Sequence, residues 1–80
     1  MGISLSMSTL RKRLGKAIRR LRAVQGYSQE SFASQAKVHR TFMGAVERGE
    51  QNLSLDSLEK IARGLGITLS GLLAEAERER

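Results

Sequence analysis

Apolar residues recur every three or four positions along most of the chain, which is the spacing of amphipathic helices. A first apolar stripe consists of Leu10, Leu14, Ala17, Ile18 and Leu21. A second consists of Leu55, Leu58, Ile61, Ala62 and Leu65. No segment alternates apolar and polar residues for long enough to indicate a strand. The pattern therefore predicts an all-α fold.

Helix caps and stops divide this pattern into five short helices. Small polar residues suited to an N-cap and glycines suited to a helix end follow one another as Gly26, Ser28, Gly49, Ser54, Gly66 and Thr68. The second helix should end near Lys37, and the third should run from about Arg40 to Arg48. We expect one domain over residues 10–73, an N-terminal arm over 1–9 and a charged tail over 74–80, since 80 residues leave no room for a second core.

The composition excludes several kinds of site. The chain has no Cys, which excludes a disulfide framework, a zinc finger and a thiol nucleophile and favours a reducing compartment. Its one histidine, His39, has no carboxylate or cysteine pattern around it that would indicate a metal or a catalytic centre. No apolar run approaches the roughly 18 residues that span a bilayer. We expect no enzyme, no cofactor, no metal and no membrane span.

Positive charge is concentrated in the first half of the chain. Residues 1–40 carry nine basic side chains and one acid, for a net charge of +8, whereas residues 41–80 carry five and seven, for −2. Seven of the basic residues lie between Arg11 and Arg22. Such asymmetry indicates a surface for a polyanion. Charge alone does not distinguish nucleic acid from an anionic membrane, or either from a solvated helix face.

The second and third helices are joined by a very short connection, with Ala33 and Ala36 where two helices would approach closely. This is the spacing of a helix-turn-helix, in which the second helix enters the major groove of DNA. An ordinary helical hairpin has the same short connection and stays an alternative.

Several spaced motifs resemble the Cro/repressor-type (XRE-family) helix-turn-helix regulators. They are GYSQESFA at residues 26–33, AKVHRTFMGAVERG at 36–49, NLSL at 52–55 and LEKIA at 58–62. The resemblance covers residues 10–73 and implies a compact five-helix bundle of the lambda-repressor kind that binds double-stranded DNA and regulates transcription. Within the family, RTFMG at 40–44 followed by ERG at 47–49 and Asn52 is most similar to controller proteins of restriction–modification systems.

A helical wheel of the third helix places Met43 and Val46 towards the core. Thr41, Gly44, Ala45 and Arg48 fall on the opposite side. The resemblance implies that this helix reads bases from its N-terminal end, through Arg40, Thr41, Gly44 and Ala45. Arg40 can donate two hydrogen bonds to O6 and N7 of a guanine, and Thr41 can contact a thymine methyl group or a polar base edge. The small Gly44 is explained by close approach to DNA or, equally, by packing.

The resemblance also assigns residues to the phosphate backbone, namely Ser28, Gln29, His39, Phe42, Arg48, Gln51 and Asn52. Gln29 lies at the start of the second helix, where backbone N–H groups attract an anion. His39 is expected to cap the third helix or lie at the groove rim. The family pairs a first-helix Arg with a Glu of the recognition helix, and Arg22 and Glu47 match that structural pair.

Three residues depart from the family pattern. Lys37 replaces the Gly often found in the turn, so a residue with a side chain is expected to adopt a strained backbone conformation there. Phe42 stands where the controller-like proteins tend to carry Tyr and lacks its hydroxyl. Gln51 lacks the positive charge seen at this place in some relatives. These departures predict a lower affinity or a different operator.

One recognition helix reads too few base pairs to select a genomic site, so we expect a homodimer on a palindromic operator with half-sites about 34 Å apart. The predicted interface consists of Leu65, Ile67, Leu69, Leu72 and Leu73, which alternatively complete the core. Ile3, Leu5 and Met7 could also cover a partner. We expect a cytoplasmic regulator without an evident small-molecule effector. The alternatives are an antitoxin that binds DNA secondarily and a cationic membrane-surface protein.

Overall fold

The computed structural model describes residues 7–79, with side chains from residue 9 onwards. These residues form five helices and no strand, as the apolar pattern predicted. The helices, in chain order, are α1 (Met7–Val24), α2 (Gln29–Ala36), α3 (Arg40–Glu47), α4 (Leu55–Leu65) and α5 (Leu69–Arg78). None of them combines the length and the apolar character needed to cross a bilayer.

Predicted capping residues hold the helix ends. The side chains of Ser28, Ser54 and Thr68 accept hydrogen bonds from backbone N–H groups in the first turns of α2, α4 and α5. His39 does the same for α3, because its Nδ1 accepts from the backbone N–H of Thr41 at 3.2 Å. Gly66 ends α4 in the left-handed conformation that glycine adopts without steric cost.

The core is formed where α1 packs against α3 and α5, and α2 packs against α3 and α4. Its largest members have essentially no exposed surface and come from all five helices: Ile18, Phe32, Met43, Ile61 and Leu72. Tyr27 meets Phe32 edge to face, with ring centroids 5.5 Å apart. The bundle therefore fixes α3 against α1 on one side and α2 on the other.

Two glycines that sequence reasoning did not single out allow helices to approach closely. A Cβ at Gly15 would lie 2.5 Å from the backbone oxygen of Val46, so no other residue permits this contact between α1 and α3. A Cβ at Gly64 would lie 3.1 Å from the Cβ of Ala36, where α4 meets α2. The positions of α2 and α3 in the bundle thus depend on small residues in α1 and α4.

The prediction of a charged tail from residue 74 is wrong, because α5 continues to Arg78. Ala76 is completely buried in the core. Arg13 donates to the backbone oxygens of Glu77 and Glu79, each at 2.9 Å, and Arg20 donates to the carboxylates of Glu75 and Glu79. The helix persists because Arg13 satisfies carbonyl groups at its C-terminal end and Arg20 pairs with carboxylates near that end.

The first helix begins earlier than the apolar stripe indicated. It starts at Met7, so residues 7–9 of the predicted arm are helical. Ile3 and Leu5 lie outside the described residues, and the side chain of Met7 is also outside them. Their predicted role at an interface stays a prediction.

Candidate nucleic-acid interface

The N-terminal turn of α3 projects from the bundle. Met43 and Val46 anchor the opposite side of this helix in the core, whereas Arg40 and Thr41 are exposed to solvent. The outward side of this turn is therefore not covered by the chain's own described residues. An α-helix with its side chains is about 10–12 Å in diameter, which fits a major groove about 12 Å wide.

Gly44 does not lie on the open face of α3, and this prediction needs correction. It is buried, and a Cβ there would lie 3.2 Å from Nη1 of Arg48 and 3.3 Å from Oε1 of Gln29. Because these two side chains fold over it, Gly44 has a packing origin and does not face a base directly. Ala45 is half-buried, and its contact with DNA stays a prediction.

Gln29 is held beside α3 at the start of α2. Its Nε2 donates to Oε1 of Glu47 at 3.1 Å, and the side chain is half-buried. The hydroxyl of Ser28 accepts from the backbone N–H of Ser31 at 3.0 Å, in a capping box that Ser31 completes by accepting from the backbone N–H of Ser28. Both residues are therefore placed at a helix N-terminus, where an anionic oxygen is favoured.

Arg22 and Glu47 form the predicted ion pair. The guanidinium donates two hydrogen bonds to the carboxylate, at 2.7 and 2.9 Å, and the side chains are only 13% and 4% exposed. The hydrogen bonds from Arg22 to Glu47 raise the pKa of the guanidinium, and burial opposes this rise. Arg22 also donates to the backbone oxygen of Tyr27, so one side chain joins α1 to both α3 and the start of α2.

The loop between α3 and α4 is fastened to the start of α1. The guanidinium of Arg11 donates to Oδ1 of Asn52, while Gly49, with a φ of +74°, lies so close to Lys12 that a Cβ would be 2.8 Å from its Cα. Asn52 is exposed and Gln51 is half-buried. Arg48 is exposed beside the loop and pairs with Glu50 at 3.0 Å.

Phe42 does not fit the phosphate-contacting set. Its ring is half-buried and packs against the core, and a phenyl ring has no hydrogen-bond donor for a phosphate oxygen. The side chain therefore belongs with the residues that seat α3. His39, by contrast, is exposed at the N-terminus of α3 and caps the helix, and its place at the groove rim stays a prediction.

Many of the basic residues in α1 are bonded within the protein. Between Arg11 and Arg22, at least four of the seven donate to other parts of the chain, and they are Arg11, Arg13, Arg20 and Arg22. Much of the positive charge that indicated a polyanion surface thus holds α3, α5 and the loop before α4 in place. Sequence reasoning missed the contacts of Arg11, Arg13 and Arg20 because their partners lie 41 to 66 residues away.

Two residues of the predicted dimer interface are in the core of the single chain. Leu72 is completely buried and Leu65 is 3% exposed, so neither can contribute appreciable area to a second copy, and this part of the prediction is corrected. Ile67 and Leu69 are half-buried, and Leu73 is 36% exposed. Of the predicted interface residues, Ile67, Leu69 and Leu73 therefore keep exposed apolar surface, and Leu69 and Leu73 lie on α5.

Residues 18–72 match the helix-turn-helix family HTH_3. The chain is 45% identical over 74 residues to the control protein C.MunI of a Mycoplasma species, covering 91% of this chain and 100% of that protein. It is 37% identical over 67 residues to the control protein C.BamHI of Bacillus amyloliquefaciens, covering 82% and 83% of the two chains.

The fold is also similar to solved structures. The restriction-modification controller protein C.AhdI from Aeromonas hydrophila superposes with a TM-score of 0.75 at 37% identity, over 78% of this chain and 94% of that one. The hypothetical transcription factor NHTF from Neisseria superposes with a TM-score of 0.77 at 36% identity, over 91% and 85% of the two chains. These matches include α2, α3 and the loop that follows, where the candidate interface lies.

Proposed function

Because this chain belongs to the helix-turn-helix family of DNA-binding transcriptional regulators, we propose that it binds a palindromic operator as a homodimer and reads it through α3. The exposed Arg40 and Thr41 at the N-terminal turn of α3 are the observation that carries this proposal. Arg40 donates to O6 and N7 of a guanine, and Thr41 contacts an adjacent base edge. Ala45 lies one turn further along the same helix.

Phosphate contacts position this helix in the groove. Polar groups on both sides of α3 are suited to binding phosphate oxygens, and they are Ser28 and Gln29 at the start of α2, His39 at the cap of α3, Arg48, and the loop residues Gln51 and Asn52. Two of these groups have firm support from within the chain, since Glu47 orients Gln29 and Arg11 orients Asn52. Such contacts fix the register of the protein on the duplex and carry no sequence information directly.

A second copy supplies the other half-site. The exposed Leu73 and half-buried Leu69 of α5 form the centre of the twofold interface, which places the two recognition helices about 34 Å apart on one face of the duplex. By analogy with the control proteins to which the chain is similar, the regulated genes are those of a restriction–modification system. The protein acts on DNA in the cytoplasm, without catalysis and without a cofactor.

Selection of bound fragments from random duplex DNA tests this function. The proposal expects a consensus of two inverted half-sites, with a guanine at the position that Arg40 reads. Enrichment of a single, non-repeated half-site would contradict the homodimer. No enrichment above bulk duplex would contradict sequence-specific regulation and would favour the antitoxin alternative, which a search for a bound protein partner would then examine.

A further inference from the structure

A groove of about 250 Å³ lies between the C-terminal end of α2 and the middle of α4. Among the residues that the structure describes, its lining holds three cations and no acid, and the cations are Lys37, Lys60 and Arg63. All three are exposed. Arg63 forms an ion pair with Glu59 at 3.6 Å, and both side chains are largely exposed. An exposed pair of this kind is weak and leaves the cation available to another anion.

The walls of this groove are rigid. A Cβ at Gly64 would lie 3.1 Å from the Cβ of Ala36 and 3.2 Å from the ring of Phe32, so α2 and α4 approach each other through small residues. Lys60 and Arg63 therefore project from α4, and Lys37 projects from the turn that follows α2, where the two helices pack closely. Cations on such elements lose little conformational freedom in their backbones when they meet a rigid anionic partner.

Lys37 adopts a backbone conformation that is costly for its residue type. It ends α2 with φ 61° and ψ 43°, and within the described residues it is the one non-glycine residue with a positive φ. Glycine adopts this conformation without steric cost. A charged side chain retained in a strained turn, on the rim of a cationic groove, points to a contact made by that side chain.

The short distance along the chain between Lys37 and Arg40 favours a DNA phosphate as the anion that this groove binds. Three Cα–Cα steps separate it from Arg40, so the two Cα atoms are at most about 11 Å apart. When Arg40 contacts a base in a groove about 12 Å wide, the phosphate backbone at the groove edge is within reach of a lysine at that distance. Gln29 lies at the other end of α2, about 10 Å further along the helix, and would meet different phosphates.

We propose that Lys37, Lys60 and Arg63 form a second phosphate-binding surface, which contacts the operator backbone separately from Gln29 and the loop around Asn52. This inference rests on the proposed function, since it takes the orientation of α3 on DNA as given. It extends the footprint of each protein copy along the backbone, and it adds affinity without adding base preference.

The salt dependence of binding tests the surface, with Lys60→Gln and Arg63→Gln combined in one variant. Log K falls with log salt, and each lost phosphate contact makes this negative slope shallower by about 0.9. The double variant should therefore make it shallower by about 1.8. Its affinity should fall by the same factor for the selected operator and for an unrelated duplex. A second variant, Lys37→Gly, should make the salt slope shallower by about 0.9. The melting temperature of this variant should rise.

Lys16→Gln combined with Arg78→Gln is the matched control. These two exposed cations line a different groove, between α1 and α5, which also holds Glu77 and Glu79. The control removes the same charge and should leave the slope unchanged. An unchanged slope in the groove variants, or an equal fall in the control, would overturn the inference and would direct the search to an acidic protein surface. Failure of the wild-type chain to select any duplex would instead overturn the proposed function.

Discussion

Arg40 and Thr41, the residues that we propose read bases, are held in place by the rest of the chain. Both are exposed, and the helix that carries them is anchored by the completely buried Met43. His39 satisfies the N–H of Thr41, so the first turn is formed before any ligand arrives. Because this turn is already formed, binding does not lose free energy in ordering its backbone. The contact of Arg40 with a base can then contribute fully to base preference.

Replacing Arg40 with Ala should therefore weaken binding to the operator by about 1–3 kcal/mol and relax the preference at one base position per half-site. Gln29→Ala is the contrasting variant and should weaken binding to every sequence alike. Competition between the operator and its single-base variants measures both effects. An equal loss on all sequences for Arg40→Ala would show that this side chain contacts phosphate only.

Lys37 allows a prediction about stability. Lys37→Gly should stabilise the fold by about 0.5–1 kcal/mol, because relief of the strained φ of 61° outweighs the greater flexibility of glycine in the unfolded chain. Lys37→Ala is the matched control, since it removes the same charge and keeps the Cβ. Urea unfolding should show a gain for Gly and none for Ala. Equal gains in the two variants would mean that charge repulsion, and not backbone strain, sets the cost.

Some of the site residues could be predicted from the sequence and others could not. The Arg22–Glu47 pair, the cap at His39 and the left-handed turn at Lys37 were predicted, because family motifs and residue type determine them. Gly44 was misplaced, since the wheel of an isolated helix takes no account of Gln29 reaching across from α2. The groove of Lys37, Lys60 and Arg63 could not be seen, because α2 and α4 come together only in the folded chain.

At the scale of elements, α1 holds α3, the proposed recognition helix, in its orientation. Gly15 lets the C-terminal end of α3 pack closely against α1. Arg22 holds that end of α3 through its hydrogen bonds to Glu47. Loss of the guanidinium would leave a buried carboxylate that, within the described residues, keeps the amide of Gln29 as a partner. The orientation of α3, and with it the direction of Arg40, depends on this contact.

Arg22→Ala should accordingly destabilise the protein by about 3–5 kcal/mol, because it strands a buried charge. Arg22→Met combined with Glu47→Met removes both charges and should recover much of that loss. Denaturant unfolding of the two variants measures the difference. If Arg22→Ala cost no more than an exposed ion pair, about 1 kcal/mol or less, the pair would not be what holds α3 to α1.

The α1–α5 contact gives a prediction about pH. The hydrogen bond from Arg20 lowers the pKa of the Glu75 carboxyl below its ordinary value. Because the folded-state pKa is lowered, the ion pair stabilises the fold at pH values above the unfolded-state pKa of Glu75. This stabilisation is lost as the pH falls through the folded-state pKa. Titration followed by NMR should give a pKa for Glu75 below that of free glutamate, and Arg20→Gln should return it towards that value. An unchanged pKa in the variant would contradict the contact.

The helices themselves were largely predictable, because they carry apolar stripes and because α2, α3, α4 and α5 each have an N-cap residue. Besides the start of α1, the end of α5 was an exception. Its alternation of Glu with small or basic residues is typical of a solvated tail, and what keeps it helical is Arg13 and Arg20, more than 50 residues earlier. Long-range satisfaction of helix carbonyls is invisible to a local pattern.

At the scale of the whole molecule, the proposed dimer depends on α5. The fold needs Leu65 and Leu72 for its own core, which leaves Leu73 as the large apolar side chain of α5 with most exposure. Val24 and Leu55 are more exposed, but they lie at the end of α1 and the start of α4, away from α5 in the chain. A twofold axis beside Leu73 would bury apolar area that the monomer leaves in water.

Leu73→Lys should therefore convert the protein to a monomer with little change in melting temperature at low protein concentration, since the residue lies outside the core. Its binding to a two-half-site operator should weaken, whereas binding to a single half-site should not. Val24→Lys is the control, because it introduces the same charge at an apolar residue of α1 that is 79% exposed. Sedimentation measures the mass of each variant. A dimer that survives Leu73→Lys would place the interface elsewhere.

The most direct test of the central claim pairs Arg40 with a single atom of DNA. The selected operator is prepared with 7-deazaguanine, which lacks the N7 acceptor, at the guanine assigned to Arg40, and affinities are measured for the wild type and for Arg40→Ala. If α3 reads that guanine, the altered base weakens the wild type and leaves the variant unaffected, a coupling that only contacting groups show. Equal weakening of both proteins by the altered base would contradict recognition through Arg40.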